Sequence, residues 1–302
     1  MPDTTRLETA RDFPPEVLRL FDQYVHNVID RRAFLDGASK FAVGGLTATA
    51  LLDALNPRFA QAQKVSPGDA RLSEERVDFQ SPKGNGKGHG YLVRPAAKKP
   101  AKHGAVLVVH ENRGLNPHIE DITRRLALEG FLAFAPDALA VAGGYPGNED
   151  KARELFAKLD QAKCREDFVA AAEWLRARPE SNGKLGAVGF CYGGGVVNVL
   201  ATRLGAELAA GVPFYGMAPP LEAVPGIKAQ LLLHFASNDD RINASWPAYE
   251  AALKTAHAKY EAHVYPNTEH GFNNDTTPRF DKDAAALAWK RTIELFARRL
   301  GR

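Results

Sequence analysis

A cysteine, an aspartate and a histidine follow one another along this sequence in an order that suits nucleophilic catalysis. Cys191 lies in the segment Gly189-Phe-Cys-Tyr-Gly-Gly-Gly195, which has the G-x-S-x-G pattern of a nucleophile elbow with cysteine in place of serine. A cysteine at the amino end of a helix is favoured as a thiolate, which is its nucleophilic form. The alternative is a buried structural cysteine in a glycine-rich turn.

The candidate acid and base come later in the chain. Asp239 follows the apolar segment Gln230–Phe235, and we prefer it over Asp240 as the acid; the alternative is that both acids cap the next helix. His270 follows another strand-like segment, although a single loop histidine is often only a surface residue. The order nucleophile, acid, histidine is that of α/β-hydrolases. In this interpretation His270 exchanges the proton, Asp239 orients the imidazole and Cys191 carries a thioester intermediate.

The elements between these residues predict how they are positioned. Ala105–His110 and Leu185–Phe190 are continuous apolar runs typical of buried parallel strands, whereas Ile119–Glu129 and Arg165–Arg176 have helical spacing. Strands that alternate with helices of about 10–15 residues predict an α/β-hydrolase fold, with a mostly parallel central sheet and helices on both faces. Sites in such sheets lie at the carboxyl ends of the strands.

The same fold predicts an oxyanion hole made of backbone groups. Its first donor would be the N–H of Tyr192, directly after the nucleophile, and its second the N–H of Asn112, in the loop after Ala105–His110. Because both donors are backbone atoms, the identities of these two residues carry little information.

Residues 1–62 have the features of an export leader. The pair Arg31-Arg32 precedes Ala-Phe-Leu, a small-residue apolar stretch follows from Gly37 to Leu55, and Ala60-Gln-Ala62 fits a cleavage site before Gln63. This pattern predicts a twin-arginine signal and a periplasmic or otherwise exported hydrolase domain over residues 63–302.

The leader also has an alternative interpretation. Lys40 interrupts the apolar stretch, which is too polar for a stable membrane span. Leu18, Phe21, Val25 and Val28 would share one face of a helix, which favours a retained amphipathic segment in a cytoplasmic protein.

Composition excludes several other classes of function. The 302 residues are 45% hydrophobic and 25% charged with a net charge of +3, and no basic stripe with interleaved aromatics suggests nucleic-acid binding. Cys164 and Cys191 form no CxxC pair, and the nine histidines have no HExxH spacing. We therefore predict no metal, no cofactor and no nucleic-acid partner.

Roughly residues 75–300 resemble the dienelactone hydrolase family. The resemblance is carried by Gly189-Phe-Cys-Tyr-Gly-Gly194, Asp239, His270-Gly-Phe and His110-Glu-Asn-Arg-Gly-Leu115. It implies hydrolysis of an ester or lactone, and it implies that Glu111 holds the resting thiol and helps to generate the thiolate. The alternative is a loop glutamate paired with Arg113.

The sequence departs from the family where a substrate carboxylate would bind. Family members have an arginine a few residues past the catalytic histidine, and Asn274 stands at that place here. Arg113 or Arg279 could substitute, and Tyr145, Trp246 and Phe272 are candidates to line a pocket, although buried aromatic residues more often belong to the core. A different acyl substrate, or a non-catalytic small-molecule binding protein that keeps the fold, are the remaining alternatives.

Overall fold

An eight-stranded sheet forms the centre of the molecule. The structure is a computed structural model, which describes residues 9–42, 46–96 and 101–301. The strand order is β1-β2-β4-β3-β5-β6-β7-β8. β2 pairs antiparallel with β1 and β4, and all the other pairs are parallel, so the predicted α/β fold is confirmed. The strands are β1 Leu72–Ser81, β2 Gly86–Pro95, β3 His103–Val109, β4 Leu132–Pro136, β5 Ser181–Phe190, β6 Leu208–Phe214, β7 Gln230–Asn238 and β8 Tyr260–Glu269.

Helices cover both faces of this sheet, and in the described part of the chain four further α-helices precede it. They are α1 Pro15–Val25, α2 Arg31–Ala38, α3 Ala48–Leu55, α4 Phe59–Ala62, α5 Pro117–Leu128, α6 Glu149–Ala157, α7 Gln161–Arg176, α8 Tyr192–Leu204, α9 Asp240–Asn243, α10 Trp246–Thr255 and α11 Lys282–Leu300. The buried residues of α5 and α11 pack in one core, and those of α6, α7, α8 and α10 pack in the other.

The alternation of side chains along the strands separates the two cores. In β3, Leu107 and Val109 belong to one core while Val106 and Val108 belong to the other, and all four are fully buried. Successive strand residues point to opposite faces of a sheet, so a strand covered on both faces must be apolar throughout. This is why the predicted run Ala105–His110 reads as continuous hydrophobic sequence.

The helix that follows the glycine-rich elbow includes the glycines themselves. α8 begins at Tyr192 and contains Gly193–Gly195 in its first turn. Glycine is a poor helix former, yet a β-carbon on Gly193 would lie 2.2 Å from the carbonyl oxygen of Val109. Close packing of α8 against β3 therefore overrides the local helix propensity.

The N-terminal segment, defined as residues 9–62, has a small core of its own within the described residues. Phe13, Val17, Phe21, Phe34 and Leu52 are among its buried side chains. The predicted single helical face was wrong at its end, because α1 stops at Val25 and Val28 lies beyond it with 64% exposure.

That residues 1–62 form an export leader remains a prediction. Residues 1–8 and 43–45 of the predicted leader lie outside the described part of the chain. Within the described part, no helix is both long enough and apolar enough to cross a membrane.

Candidate active site

Cys191 occupies a strained turn between β5 and α8. Its φ of 55° lies in the left-handed region, which residues with a β-carbon seldom adopt. The turn is tight, since a β-carbon on Gly189 would lie 2.2 Å from the carbonyl oxygen of Gly193. The strain holds the cysteine at the carboxyl end of β5 and at the amino end of α8, as the elbow pattern predicts.

Asp239 and His270 meet beside this turn. His270 Nδ1 lies 2.5 Å from Asp239 Oδ2, and both residues are buried. Asp239 directly follows β7, and its Oδ1 accepts a hydrogen bond of 3.3 Å from the N–H of Ile242, so it also caps α9. The neighbouring Asp240 is exposed. The structure thus brings Asp239, the preferred acid, to His270. The alternative role, capping the next helix, is filled by the other oxygen of the same carboxylate.

His270 presents its second ring nitrogen to the nucleophile. With Nδ1 held by Asp239, Nε2 is buried and has no hydrogen-bond partner within the described part of the chain. Burial raises the pKa of the Cys191 thiol, but the positive charges of His270 and His26, together with the hydrogen bond to His26, lower it to about 5. Burial lowers the pKa of His270, and the Cys191 thiolate and Asp239 raise it to about 10. Between these values the thiolate–imidazolium form is favoured.

His26 is a third side chain at this site, and no motif in the sequence points to it. Its Nε2 lies 3.3 Å from Cys191 Sγ, and its ring meets the His270 ring edge to face at 4.9 Å. It is 165 positions away from Cys191 in the chain and lies within the predicted leader. No local pattern marks it, because only the packing of the N-terminal segment on the hydrolase domain brings it there.

The loop after β3 is held in place by a buried histidine. His110 is fully buried; its Nε2 accepts a hydrogen bond of 3.0 Å from the N–H of Ala138, so its Nδ1 donates to the carbonyl of Glu111 at 2.5 Å. This fixes the backbone just before Asn112. Tyr192 is the first residue of α8, and its N–H is one that a helix leaves without an internal partner. Both predicted oxyanion donors therefore flank the nucleophile turn, and their role remains a prediction.

The chain is similar in sequence to known protein families. The profile of the dienelactone hydrolase family matches residues 89–300, and that of the YqhI-like family matches residues 5–43. A provisionally named carboxymethylenebutenolidase of Saccharolobus solfataricus is 32% identical in an alignment of 241 positions that covers 66% of this chain and 90% of that protein. The chain belongs to the dienelactone hydrolase family. This membership confirms the predicted enzyme class, a carboxylic ester hydrolase.

Two further proteins are similar to parts of this dienelactone hydrolase family member. A provisionally named hydrolase fragment of Escherichia coli K12 is 52% identical over 115 residues, covering 38% of this chain and 97% of the fragment. The crystal structure of a provisionally named dienelactone hydrolase of Klebsiella pneumoniae has a TM-score of 0.65 and 28% identity, covering 74% of this chain and 99% of that one.

Glu111, which the family resemblance assigns to the resting thiol, has a different partner here. Its Oε2 accepts a hydrogen bond of 3.1 Å from Asn274 Nδ2, the side chain that stands where the family has its arginine. The suggested pairing with Arg113 is replaced by contacts of Arg113 with Asn112 Oδ1 at 2.7 Å and with Glu149 Oε2 at 3.6 Å. Among the described residues, His26 is the one whose side chain lies within hydrogen-bond distance of the Cys191 sulfur.

The candidate carboxylate-binding arginines both line a very small cavity next to Cys191. This cavity of about 40 Å³ has Glu111, Arg113, Asn274 and Arg279 among its lining residues. The N-terminal segment narrows it, since the Arg279 guanidinium lies 5.0 Å from the centre of the Phe21 ring. A volume of this size holds roughly one or two water molecules.

The predicted aromatic pocket residues lie elsewhere. Phe272 is fully buried in the core, with ring centres 4.9 Å from Tyr265 and 5.6 Å from Tyr215. Tyr145 donates a hydrogen bond of 2.8 Å to Glu149, and Trp246 packs on Phe235. None of the three lines a described cavity next to Cys191. Large aromatic side chains often fill the core because they bury much apolar surface, and Phe272 does so here. A role of Tyr145 or Trp246 in substrate binding remains a prediction.

The accessible space at the nucleophile is instead a wide, mainly apolar groove of about 530 Å³. It runs from Cys191 and His26 along the exposed side of the first turns of α8, and Val199 and Met217 lie on its wall. Its other lining side chains come from the ends of α6 and α7 and from α9, and they include Phe156, Arg165 and Ile242.

Three side chains here are of types that bind metal ions. In the described part of the molecule, His26, Cys191 and His270 each offer one ligand atom, and these three atoms lie within 4.8 Å of one another. A guanidinium nitrogen of Arg241 lies 2.9 Å from His26 Nε2, the same nitrogen that faces the sulfur. A fixed positive charge at that position opposes a bound cation, so these atoms fit proton exchange better than metal binding.

Proposed function

We propose that this dienelactone hydrolase family member cleaves an ester or lactone through a Cys191 thiolate. The observation that carries the proposal is the hydrogen-bonded pair of His270 and Asp239 beside a cysteine held in a strained turn at a helix amino end. A cysteine nucleophile, an imidazole base and a carboxylate that orients the base are the parts that acyl transfer requires.

The steps follow from the roles of these groups. The thiolate sulfur attacks the carbonyl carbon, and the electron pair of the C=O bond moves to oxygen, where the N–H groups of Tyr192 and Asn112 stabilise it. When the carbonyl re-forms, the C–O bond breaks and the His270 imidazolium gives its proton to the leaving oxygen. Water then attacks the thioester while His270 takes its proton, and the acid is released with the sulfur again a thiolate.

Trapping the thioester tests this proposal. After brief mixing of the enzyme with activated esters and lactones, intact-mass spectrometry is expected to find one acyl group per chain, and peptide mapping is expected to place it on Cys191. Hydrolysis of the same compounds should accompany the adduct. If no compound acylates Cys191 and none is hydrolysed, while some still bind, a non-catalytic binding protein is the better interpretation.

The groove indicates which part of the substrate lies where. Because the cavity beside Glu111 and Asn274 is small and the groove along α8 is large and apolar, we propose that an apolar acyl chain lies in the groove. Replacing Val199 by phenylalanine should fill this space. We expect kcat/KM for an octanoate ester to fall at least about tenfold while that for the acetate ester changes little.

A matched substitution checks that the effect is local. Val264 is 56% exposed on β8, away from the groove, and Val264→Phe makes the same change of volume. It is expected to leave the ratio of the two kcat/KM values unchanged. An equal loss for both esters in Val199→Phe would contradict the proposed placement of the acyl chain.

We also propose export by the twin-arginine route. The support is the pair Arg31-Arg32, which is exposed at the start of α2, and the Ala-Gln-Ala sequence before Gln63. Fractionation of the native host should recover the protein outside the cytoplasm, and amino-terminal sequencing of the recovered chain tests whether residues 1–62 are removed. A chain that begins at Gln63 would lack His26, whereas recovery from the cytoplasm with the N-terminal segment attached would favour the retained alternative.

A further inference from the structure

We propose that His26 belongs to the active site, where it shares the proton of the resting Cys191 thiol. The inference deepens the proposed function and rests on Cys191 as its nucleophile. The role is the one that the family resemblance assigned to Glu111, but here the N-terminal segment supplies the group.

The position of His26 is the first observation. α1 ends at Val25, and His26, the next residue, places Nε2 3.3 Å from Cys191 Sγ, within hydrogen-bond distance for sulfur. Its side chain is only 12% exposed. Water is therefore largely kept from the contact, which strengthens the interaction between the imidazole and the sulfur.

The second observation is that the other ring nitrogen is already engaged. His26 Nδ1 lies 2.7 Å from the carbonyl oxygen of Asp22, which can only accept, so Nδ1 carries a proton. The Asp22 carboxylate lies 3.2 Å from the same nitrogen. The ring is thus oriented by its own helix in the way that Asp239 orients His270, and Nε2 faces both the sulfur and a guanidinium nitrogen of Arg241, which lies 2.9 Å away.

The third observation is that the hydrolase domain holds this segment on both sides of His26. The carbonyl of Val25 accepts a hydrogen bond of 2.8 Å from Asn112 Nδ2, in the loop predicted to supply an oxyanion donor. On the other side, Asn27 Oδ1 accepts a hydrogen bond of 2.6 Å from Arg153. His26 is therefore positioned against the nucleophile by the hydrogen bonds that its two neighbours in the chain make with the hydrolase domain.

The proton balance involves only two atoms. When the proton leaves Sγ for Nε2, a thiolate and an imidazolium result and no other bond changes. The Asp22 carboxylate and the thiolate favour the imidazolium, whereas the positive charges of Arg241 and His270 oppose it. Burial lowers the pKa of His26, but Cys191 and the hydrogen bond to Asp22 raise it above its ordinary value. The other charged groups that face this cluster include Asp239, Glu111, Arg113, Glu149 and Arg279.

Alkylation of the thiol tests the inference without requiring turnover. We would measure the rate at which iodoacetamide modifies Cys191 as a function of pH in the full chain, in His26→Ala and in His26→Gln, with the modified residue identified by peptide mapping. Only the thiolate reacts. In the unmodified chain the midpoint is expected near pH 5, and in both variants it should rise by at least about one pH unit, which lowers the rate at pH 5 several-fold.

His89→Ala serves as the control, because His89 is an exposed histidine paired with Asp78 on the first strands, far from the cysteine in the fold. It is expected to leave the alkylation midpoint unchanged. The cluster around His26 is buried, so thermal unfolding of each variant confirms that it is folded, and His26→Gln provides a polar side chain if His26→Ala is unstable.

Two results would overturn the inference. One is an unchanged midpoint in folded His26→Ala or His26→Gln. The other is faster alkylation at every pH with the midpoint unmoved, which would mean that His26 only covers the sulfur. If the midpoint shifts but no ester is hydrolysed by the unmodified chain, the pairing of His26 with Cys191 stands and the proposed function fails.

Discussion

Replacing Cys191 by alanine is expected to reduce kcat/KM for ester hydrolysis by at least about 10⁴-fold, since the alanine side chain cannot form the acyl-enzyme. The remaining groups, including the oxyanion donors, would leave only weak catalysis above the rate in water. The measurement is initial-rate hydrolysis of the same activated ester by both proteins. The fold should survive, because Cys191 is only partly buried and alanine removes a single sulfur atom.

Cys164 is the matched control for this prediction. It is the other cysteine of the chain and lies on α7, where its side chain is buried in the core. Burial raises the pKa of its thiol to about 11. It therefore stays protonated and unreactive near neutral pH. Cys164→Ala is expected to keep ester hydrolysis within about twofold of the unmodified chain. Retained activity in Cys191→Ala would show that another group is the nucleophile and would contradict the proposed mechanism.

The contact between Asp239 and His270 could be foreseen because it follows from topology. In a parallel sheet, the carboxyl ends of the strands meet at one edge, so residues that follow β5, β7 and β8 must lie close together. The apolar runs located these strands, and the order of the three residues then assigned a role to each. Neither step depended on a long-range contact that only packing could decide.

His26 could not be foreseen for the opposite reason. The residues around it suggested a leader to be removed, and nothing in their local pattern refers to a cysteine 165 positions away. Its position depends on the small core of the N-terminal segment and on the hydrogen bonds of Val25 and Asn27 with the hydrolase domain. Such contacts depend on shape and on paired polar groups, which hydrophobic periodicity does not encode.

The partner of Glu111 was missed in a related way. The sequence showed that Asn274 replaces the family's arginine, but it did not show that an amide at that position reaches the glutamate. Phe272 was misassigned because an aromatic residue beside a catalytic histidine suits a pocket wall and a core equally well. Only the direction of the side chain separates these two places, and here it points into the core.

Asp239→Asn should have the second largest effect, a fall in kcat of about 10²–10⁴-fold. The amide loses the negative charge that stabilises the imidazolium and that fixes a proton on Nδ1 of His270. Burial lowers the pKa of His270, while the Cys191 thiolate and Asp239 raise it to about 10. Without the carboxylate this pKa falls, so the imidazolium that protonates the leaving oxygen is lost at a lower pH. The alkaline limb of the pH–rate profile for kcat is therefore expected to move to lower pH.

Asp240 provides a matched control for this prediction. Asp240→Asn removes the same charge one residue later, from an exposed side chain at the start of α9, and should leave both kcat and the alkaline limb essentially unchanged. Asparagine at position 239 can still cap α9, so a loss confined to Asp239→Asn cannot be attributed to the helix. Equal losses in the two variants would mean that the acids act through the general charge of the loop. A loss without the shift in pH would mean that Asp239 orients His270 without setting its pKa.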